Sequence, residues 1–220
     1  MIGLIAAFII AMALSVMSTP LLIRFLVMHQ YGQFIRQDGP TQHLTKRGTP
    51  TMGGVVIILA TVLAWLIGSF VAGAGPSWSG VLLVFLFVGL GVIGLLDDGI
   101  KIMRQRSLGL HPSGKIIGQV AVASLFALGT LIFPNDYDEY PSTLAISVAR
   151  PTTLIVTAWS NATNLTDGLD GLATGVSIFV FGAYTFIAYF QRIQSCTMPG
   201  ANQANCYATR DPLDLAIFCA

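Results

Sequence analysis

Two carboxylates stand side by side in Asp97-Asp98-Gly99-Ile100-Lys101, directly after a long apolar stretch. If that stretch is a helix, its C-terminal end already carries partial negative charge, and two acids there need a cation. Neighbouring residues on a helix point about 100° apart, so Asp97 and Asp98 need not reach the same ion and their roles can differ. The plainer reading is a helix that stops at the lipid headgroups with Gly99 as its C-cap. These residues alone leave both readings open. A second cluster runs from Asn161 to Gly171 and holds Asn161, Asn164, Asp167 and Asp170. Asp167 and Asp170 are three apart and can share one face of a helical turn. The glycines around them permit close approach to a ligand, and two acids with two amides at the mouth of two spans favour a binding role over an ordinary loop. A third cluster, Gly39 to Gly54, holds Lys46, Thr49, Pro50 and Thr51. Thr49 is placed to N-cap the next helix, with Pro50 at its first position. A helix N-terminus beside a lysine suits an anion, while the simpler alternative is a capped turn with ordinary flanking basic residues. Acids, lysines and glycine-rich turns without a Ser or Cys triad suit phosphate chemistry with Mg²⁺. That ion takes one or two carboxylates and shares its remaining positions with phosphate oxygens and water, and lysines offset the charge left over.

Membrane spans must position these clusters. The chain has 220 residues, 54% hydrophobic and 10% charged, where a soluble domain has about 25% charged. Mean hydropathy is +0.74. This excludes a soluble globular surface, and it excludes disorder, which needs low hydrophobicity and high charge. A net charge of +1 argues against a nucleic-acid partner. No Asp, Glu, Lys or Arg occurs between Arg47 and Asp97. At about 20 residues per span, that gap fits two helices with a turn at Gly73-Ala-Gly-Pro-Ser77. Unbroken apolar runs such as Val81–Leu96 lack the alternation of a barrel strand, so the spans are helices. They are predicted at roughly 2–23, 50–72, 78–96, 116–133, 150–166 and 171–190, with a seventh beginning near Leu213. The fifth is the weakest, opened by Arg150-Pro151 and closed by the polar run Ser160 to Asn164. The expected fold class is an all-α polytopic transmembrane bundle, one integral membrane domain over 1–220, with about six spans plus the start of a seventh.

Alternation of sides then sorts the charges. With the N-terminus outside, segments 24–49, 97–115 and 161–170 lie inside and hold eight of the 11 basic residues. The positive-inside rule makes that face cytoplasmic, and all three polar clusters fall on it. The two sequons at Asn161 and Asn164 carry no meaning on that face. The first span has no basic n-region and is too long for a cleavable signal peptide. Gly114-x-x-x-Gly118 and Gly171-x-x-x-Gly175 match a small-residue packing pattern. Cys196 and Cys206 share one short loop on the outer side, where either a disulfide or two free thiols is compatible with the sequence. Cys219 lies in the last apolar segment and is expected to pack there.

Three motifs in this order resemble the polyprenyl-phosphate N-acetylhexosamine-1-phosphate transferases, from about residue 1 to the chain end. They are Lys46-Arg-Gly-Thr-Pro-Thr-Met-Gly-Gly54, Leu96-Asp-Asp-Gly-Ile-Lys101 and Asn161-Ala-Thr-Asn-Leu-Thr-Asp-Gly-Leu-Asp-Gly-Leu-Ala173. The muramoyl branch is the better match. The resemblance implies a bacterial cytoplasmic-membrane enzyme of peptidoglycan synthesis. It would move phospho-N-acetylmuramoyl-pentapeptide from its UDP-sugar to polyprenyl (undecaprenyl) phosphate, with Mg²⁺, releasing UMP and forming lipid I. It carries over Asp97 and Asp98 as catalytic acids and tentative metal ligands. Lys46 and Thr51 become nucleotide-sugar contacts, Asn164, Asp167 and Asp170 surround the uridine and diphosphate, and Lys101 and Lys115 contact phosphate. Membrane lipid is an implied partner, and a homodimer stays open. His43 and His111 match no functional position.

The family has about ten spans of roughly 20 residues, a further Asp in a Gly-Asp-x-Gly-Ser setting and a His-rich segment. This chain has no Gly-Asp dipeptide and three isolated His. It therefore reads as an N-terminal part, with no turnover expected from it alone. Rival readings are the N-acetylglucosamine-1-phosphate branch, a CDP-alcohol phosphotransferase, a transporter, and an inactive membrane remnant. The second lacks its Ala-Arg after Asp170-Gly171, and the third would want charges in span centres that are clean here.

Overall fold

A computed structural model of the chain describes residues 1–29, 31, 52–105, 109–134, 152–166, 172–196, 198, 206 and 209–220, with backbone alone at 152–154, 164–166 and 172. These residues form α1 (Ile2–Met28), α2 (Gly54–Val71), α3 (Trp78–Met103), α4 (Pro112–Ile132), α5 (Thr152–Thr166), α6 (Leu172–Ile193) and α7 (Pro212–Cys219). Five of them, α1 to α4 and α6, are long and apolar enough to cross a bilayer. The chain is thus a polytopic all-α membrane protein. The predicted fifth span exists as α5, but its 15 described residues reach only about 22 Å at 1.5 Å per residue, short of the roughly 30 Å hydrocarbon core.

Several predicted boundaries move: α1 runs on to Met28 and α4 begins at Pro112, and two further shifts bear on the polar clusters. α3 does not stop at Leu96 with Gly99 as a cap. It runs through both acids to Met103, and Arg104 is its C-cap. The acids are tolerated in the helix because Lys101, one turn on, pairs with both and offsets one of their two charges (below). α2 starts at Gly54 with Gly53 as N-cap, so Thr49 does not cap it. Met52, immediately before, holds a left-handed φ of 70°, a region uncommon for any residue but glycine.

Small residues recur among the buried positions beside Trp65, Leu26 and Ile217, while many large ones face outward. Ala7, Ala60, Ala64, Ala123 and Ala188 are buried, while Phe179 and Phe186 are 81% and 80% exposed. In water such rings would be a liability. Against lipid they are ordinary, and helices associate through close backbone contact instead. Gly3 of α1 and Gly68 of α2 supply that contact: a Cβ on Gly3 would meet the Gly68 carbonyl oxygen at 2.7 Å, and one on Gly68 would meet Ala7 Cβ at 2.8 Å. The two patterns singled out in the sequence do less. At Gly118 a Cβ would meet Ile93 Cδ1 at 3.3 Å, and at Gly175 it would meet nothing within 4 Å. α1 packs along α2, then α3, α4 and α5 follow in turn, and the short α7 lies on α6 and touches α1, α2 and α3.

The N-terminal end of α3 is fixed by polar contacts across the bundle. The buried Asp214 carboxylate of α7 accepts from Trp65 Nε1 at 3.2 Å, from Ser69 Oγ at 3.4 Å and from the Ser77 amide at 3.3 Å. Ser77 in turn caps α3 by accepting from the Gly80 amide. Asp211 accepts from Ser79 Oγ at 2.6 Å, and Arg210 donates to Ser79 Oγ and to the Phe133 carbonyl that follows α4. Trp78 stacks on Phe133 with centroids 4.7 Å apart. Nearby, Cys196, just past α6, is disulfide-bonded to Cys206, which decides between the two readings the sequence leaves open. In intact cells, a membrane-impermeant maleimide should label Cys196 and Cys206 only after an impermeant reductant. Labelling without reductant would mean that the bridge does not form.

Candidate active site

The C-terminal turns of α3 gather three charges by helical spacing alone. Lys101 lies four residues from Asp97 and three from Asp98, the two separations at which helical side chains meet. Its Nζ is 2.7 Å from Asp97 Oδ2 and 3.0 Å from Asp98 Oδ1. One lysine thus serves two acids, and the trio keeps a net charge of −1. The acids are not equivalent, because Asp97 is 16% exposed and Asp98 is 35% exposed. Asp97 spends its second oxygen on the protein: Oδ1 accepts from the Leu110 amide at 2.8 Å. The second oxygen of Asp98, Oδ2, has no hydrogen-bond or ion-pair partner among the described residues. The sequence suggests that the two roles differ, and the hydrogen bonds show how.

The Asp97–Leu110 bond closes the connection from α3 to α4. It requires Gly109, where a Cβ would meet the Asp97 backbone oxygen at 2.7 Å and would overlap the carboxylate. Leu110 leads into His111, the N-cap of α4, with Pro112 in the first turn. His111 Nδ1 lies 2.7 Å from Ser113 Oγ, a local contact that agrees with its lack of a functional match. Lys115 follows in the same first turn, close enough for its charge to act on Asp97. The positive end of the α4 dipole therefore sits beside the acids at the C-terminal end of α3.

The other motifs approach this point to different degrees. Gly99 lies between the acids and Lys101, and a Cβ there would meet Met52 Cε at 3.7 Å. The end of the first motif thus rests on the turn that carries the acids. Lys46 and Thr51 themselves lie outside the described residues, as do Asp167 and Asp170. Asn164 is in the last turn of α5. That helix is tied to α4 by a polar set that the sequence does not reveal: Gln119 of α4 donates to Ser160 Oγ at 3.1 Å and accepts from Asn161 Nδ2 at 2.6 Å. A lone Gln in an apolar helix is the available signal, and its partners lie 41 and 42 residues away.

The arrangement can hold a phosphate or a hard cation at the membrane surface. Among the described residues no group of three or more His, Cys, Asp or Glu forms a closed metal cage. One consequence is measurable without any substrate. Replacing Asp97 by Ala should speed hydrogen exchange at the Leu110 amide by about tenfold or more while α3 amides near Val88 stay protected. Unchanged exchange at Leu110 would mean that the side chain does not hold this loop.

Comparison with known proteins agrees with the motifs. The glycosyl transferase family 4 model matches residues 80–208, and the phospho-N-acetylmuramoyl-pentapeptide-transferase signature 1 matches residues 46–58. Relatives bearing the name phospho-N-acetylmuramoyl-pentapeptide-transferase include that of Beutenbergia cavernae, 51% identical over all of this chain and 67% of its own length. Another, from Paenarthrobacter aurescens, is 45% identical over all of this chain and 67% of its own. That of Frankia alni is 48% identical over 99% of this chain and 65% of its own. The chain thus spans about two thirds of the length of these relatives. With all of the chain covered at this identity, it belongs to the phospho-N-acetylmuramoyl-pentapeptide-transferases of glycosyl transferase family 4.

Proposed function

We propose that the protein transfers phospho-N-acetylmuramoyl-pentapeptide from its UDP-linked form to a polyprenyl phosphate, giving UMP and lipid I. The observation that carries this reading is the Asp97–Lys101–Asp98 trio at the end of an uncharged span. Acids and a lysine at the end of an uncharged span suit a phosphate at headgroup depth, where a lipid phosphate lies. The membrane is the bacterial cytoplasmic membrane, the N-terminus is outside and the acids face the cytoplasm. The positive-inside distribution of eight of the 11 basic residues supports that orientation.

In the reaction an oxygen of the lipid phosphate attacks the sugar-linked phosphorus. A new phosphoanhydride forms, the old one breaks, and UMP leaves with the bond's electron pair. One anhydride replaces another, so the step is close to thermoneutral. A phosphate monoester has its second pKa near 6, so the lipid phosphate is largely dianionic at neutral pH and needs orientation and charge neutralisation more than a base. Lys101 and Lys115 are the described cations for that task. Asp97 holds Lys101 and the α3–α4 loop in place, and Asp98, through its free oxygen, is the acid that can reach outward. The donor set fits Mg²⁺, since two adjacent hard carboxylates, one with an oxygen to spare, match an ion that takes one or two. Mg²⁺ bound there would supply positive charge to the diphosphate. Lys46, Thr51, Asn164, Asp167 and Asp170 complete the nucleotide-sugar side of the proposal.

The test uses full-length protein in membranes with undecaprenyl phosphate and either UDP-N-acetylmuramoyl-pentapeptide or UDP-N-acetylglucosamine. Lipid I should form from the first donor only, in a Mg²⁺-dependent manner. Asp97→Asn and Asp98→Asn should each lower turnover at least 100-fold while insertion is unchanged. Product from the second donor alone would assign the sister activity, and near-normal rates in both variants would remove the acids from the site.

A further inference from the structure

Gln119 sits in α4, a membrane-spanning helix, and is 3% exposed. A primary amide has two donors and an acceptor to satisfy, and leaving them bare in an apolar interior costs free energy. Among the described residues, one of its donors and its acceptor are both met by α5. Nε2 donates to Ser160 Oγ at 3.1 Å, and Oε1 accepts from Asn161 Nδ2 at 2.6 Å. Asn161 Nδ2 also donates to the Thr157 carbonyl at 2.9 Å, which locks its own rotamer to α5. The contact is therefore directional. Apolar packing between α4 and α5 would tolerate sliding or rotation, whereas two hydrogen bonds of opposite polarity admit one register.

That register bears on the active site because of what lies one turn away on each helix. Lys115 precedes Gln119 by four residues on α4, and Asn164 follows Asn161 by three on α5. The last turn of α5 leads directly to Asp167. We propose that Gln119 is a positioning residue that sets the last turn of α5, whose backbone carries Asn164, against the first turn of α4, which carries Lys115, and so against the α3 acids. It touches no substrate. Its bonds to Ser160 and Asn161 fix where α5 ends relative to α4. The inference rests on the proposed transferase reaction and adds a residue that the sequence motifs do not contain.

The experiment measures steady-state kinetics of lipid I formation by the full-length protein, varying UDP-N-acetylmuramoyl-pentapeptide and undecaprenyl phosphate in turn. The variants are Gln119→Leu, Asn161→Leu, their double, and the swap Gln119→Asn with Asn161→Gln. Each single variant should raise KM for the nucleotide sugar about tenfold and leave KM for the lipid phosphate within twofold. The double should be no worse than the poorer single, since one link is lost either way. The swap keeps one amide on each helix and should recover most of the loss. Should a Leu variant fail to insert, the swap and Gln119→Glu, which keeps the acceptor for Asn161, report the same donor-selective effect in milder form. Equal losses for both substrates that follow thermal stability would overturn the inference, as would single effects that multiply in the double. A wild-type protein that forms no lipid I would instead overturn the transferase reading itself, and the inference with it.

Discussion

The hydrocarbon sets the terms for everything polar in this chain. Inside it every backbone amide must be bonded within its own helix, and an unpaired side-chain charge has no stable place. The stretch from Arg47 to Asp97 obeys this without a single charged residue between them. Charges are therefore pushed to helix ends, where they meet other helix ends. The Asp97 site and the Asp214 cluster are two results of one exclusion, at opposite ends of α3. Even the exceptions conform. Gln119 and Asn161 stay within the apolar layer only because they bond to each other, to Ser160 and to the Thr157 carbonyl.

The division of labour between Asp97 and Asp98 follows from the same geometry. Adjacent positions on a helix diverge, so one acid turns toward α4 and the other toward solvent. The inward acid becomes structural, since it holds Lys101 and the Leu110 amide, and the outward acid retains a free oxygen. A pair that reads as one feature in the sequence is thus two parts with one shared counter-charge. The loop between α3 and α4 is short and glycine-bearing for the same reason. It must bring a backbone amide up against a carboxylate with no side chain in the way.

Much of this is legible in the amino-acid sequence. Of the six predicted spans, five correspond to helices long and apolar enough to cross a bilayer, α1 to α4 and α6, because runs of apolar residues and the breaks between them are local facts; the predicted fifth span appears as the shorter α5 and the start of the seventh as α7. Boundaries are less secure. Hydropathy ends the third span at Leu96, whereas the helix continues to Met103, since a salt-bridged i, i+3 and i, i+4 set lets a helix leave the apolar layer without unwinding. Asp97, Asp98 and Lys101 stand out by their shared motif and Lys115 only through the family resemblance, and the fold brings the four to one place. What stays hidden is non-local. Nothing near Gln119 points to Ser160 or Asn161, and nothing near Trp65 points to Asp214, 149 residues on. Polar pairs across a bundle leave no periodic trace, as each partner is a single ordinary residue in its own helix.

α3 contains no proline, and its two ends are held by different partners: Asp214 and Ser77 at one, Asp97 and Leu110 at the other. It therefore acts as a ruler along the bundle, with the Asp214 cluster as its zero mark. The distance of the acids from that cluster, and the compass direction in which they point, are counted off in residues from Ser77. Adding or removing one residue anywhere along that count would shift the acids by about 1.5 Å and turn them by about 100°. Apolar substitutions at outward-facing positions between the marks, such as Val92 and Leu95, are mild by comparison. Gly80 and Gly89 are not such positions, since a Cβ there would meet Trp65 at 2.6 Å and Val122 at 2.7 Å, so in this segment the residue count and the two glycines are constrained together.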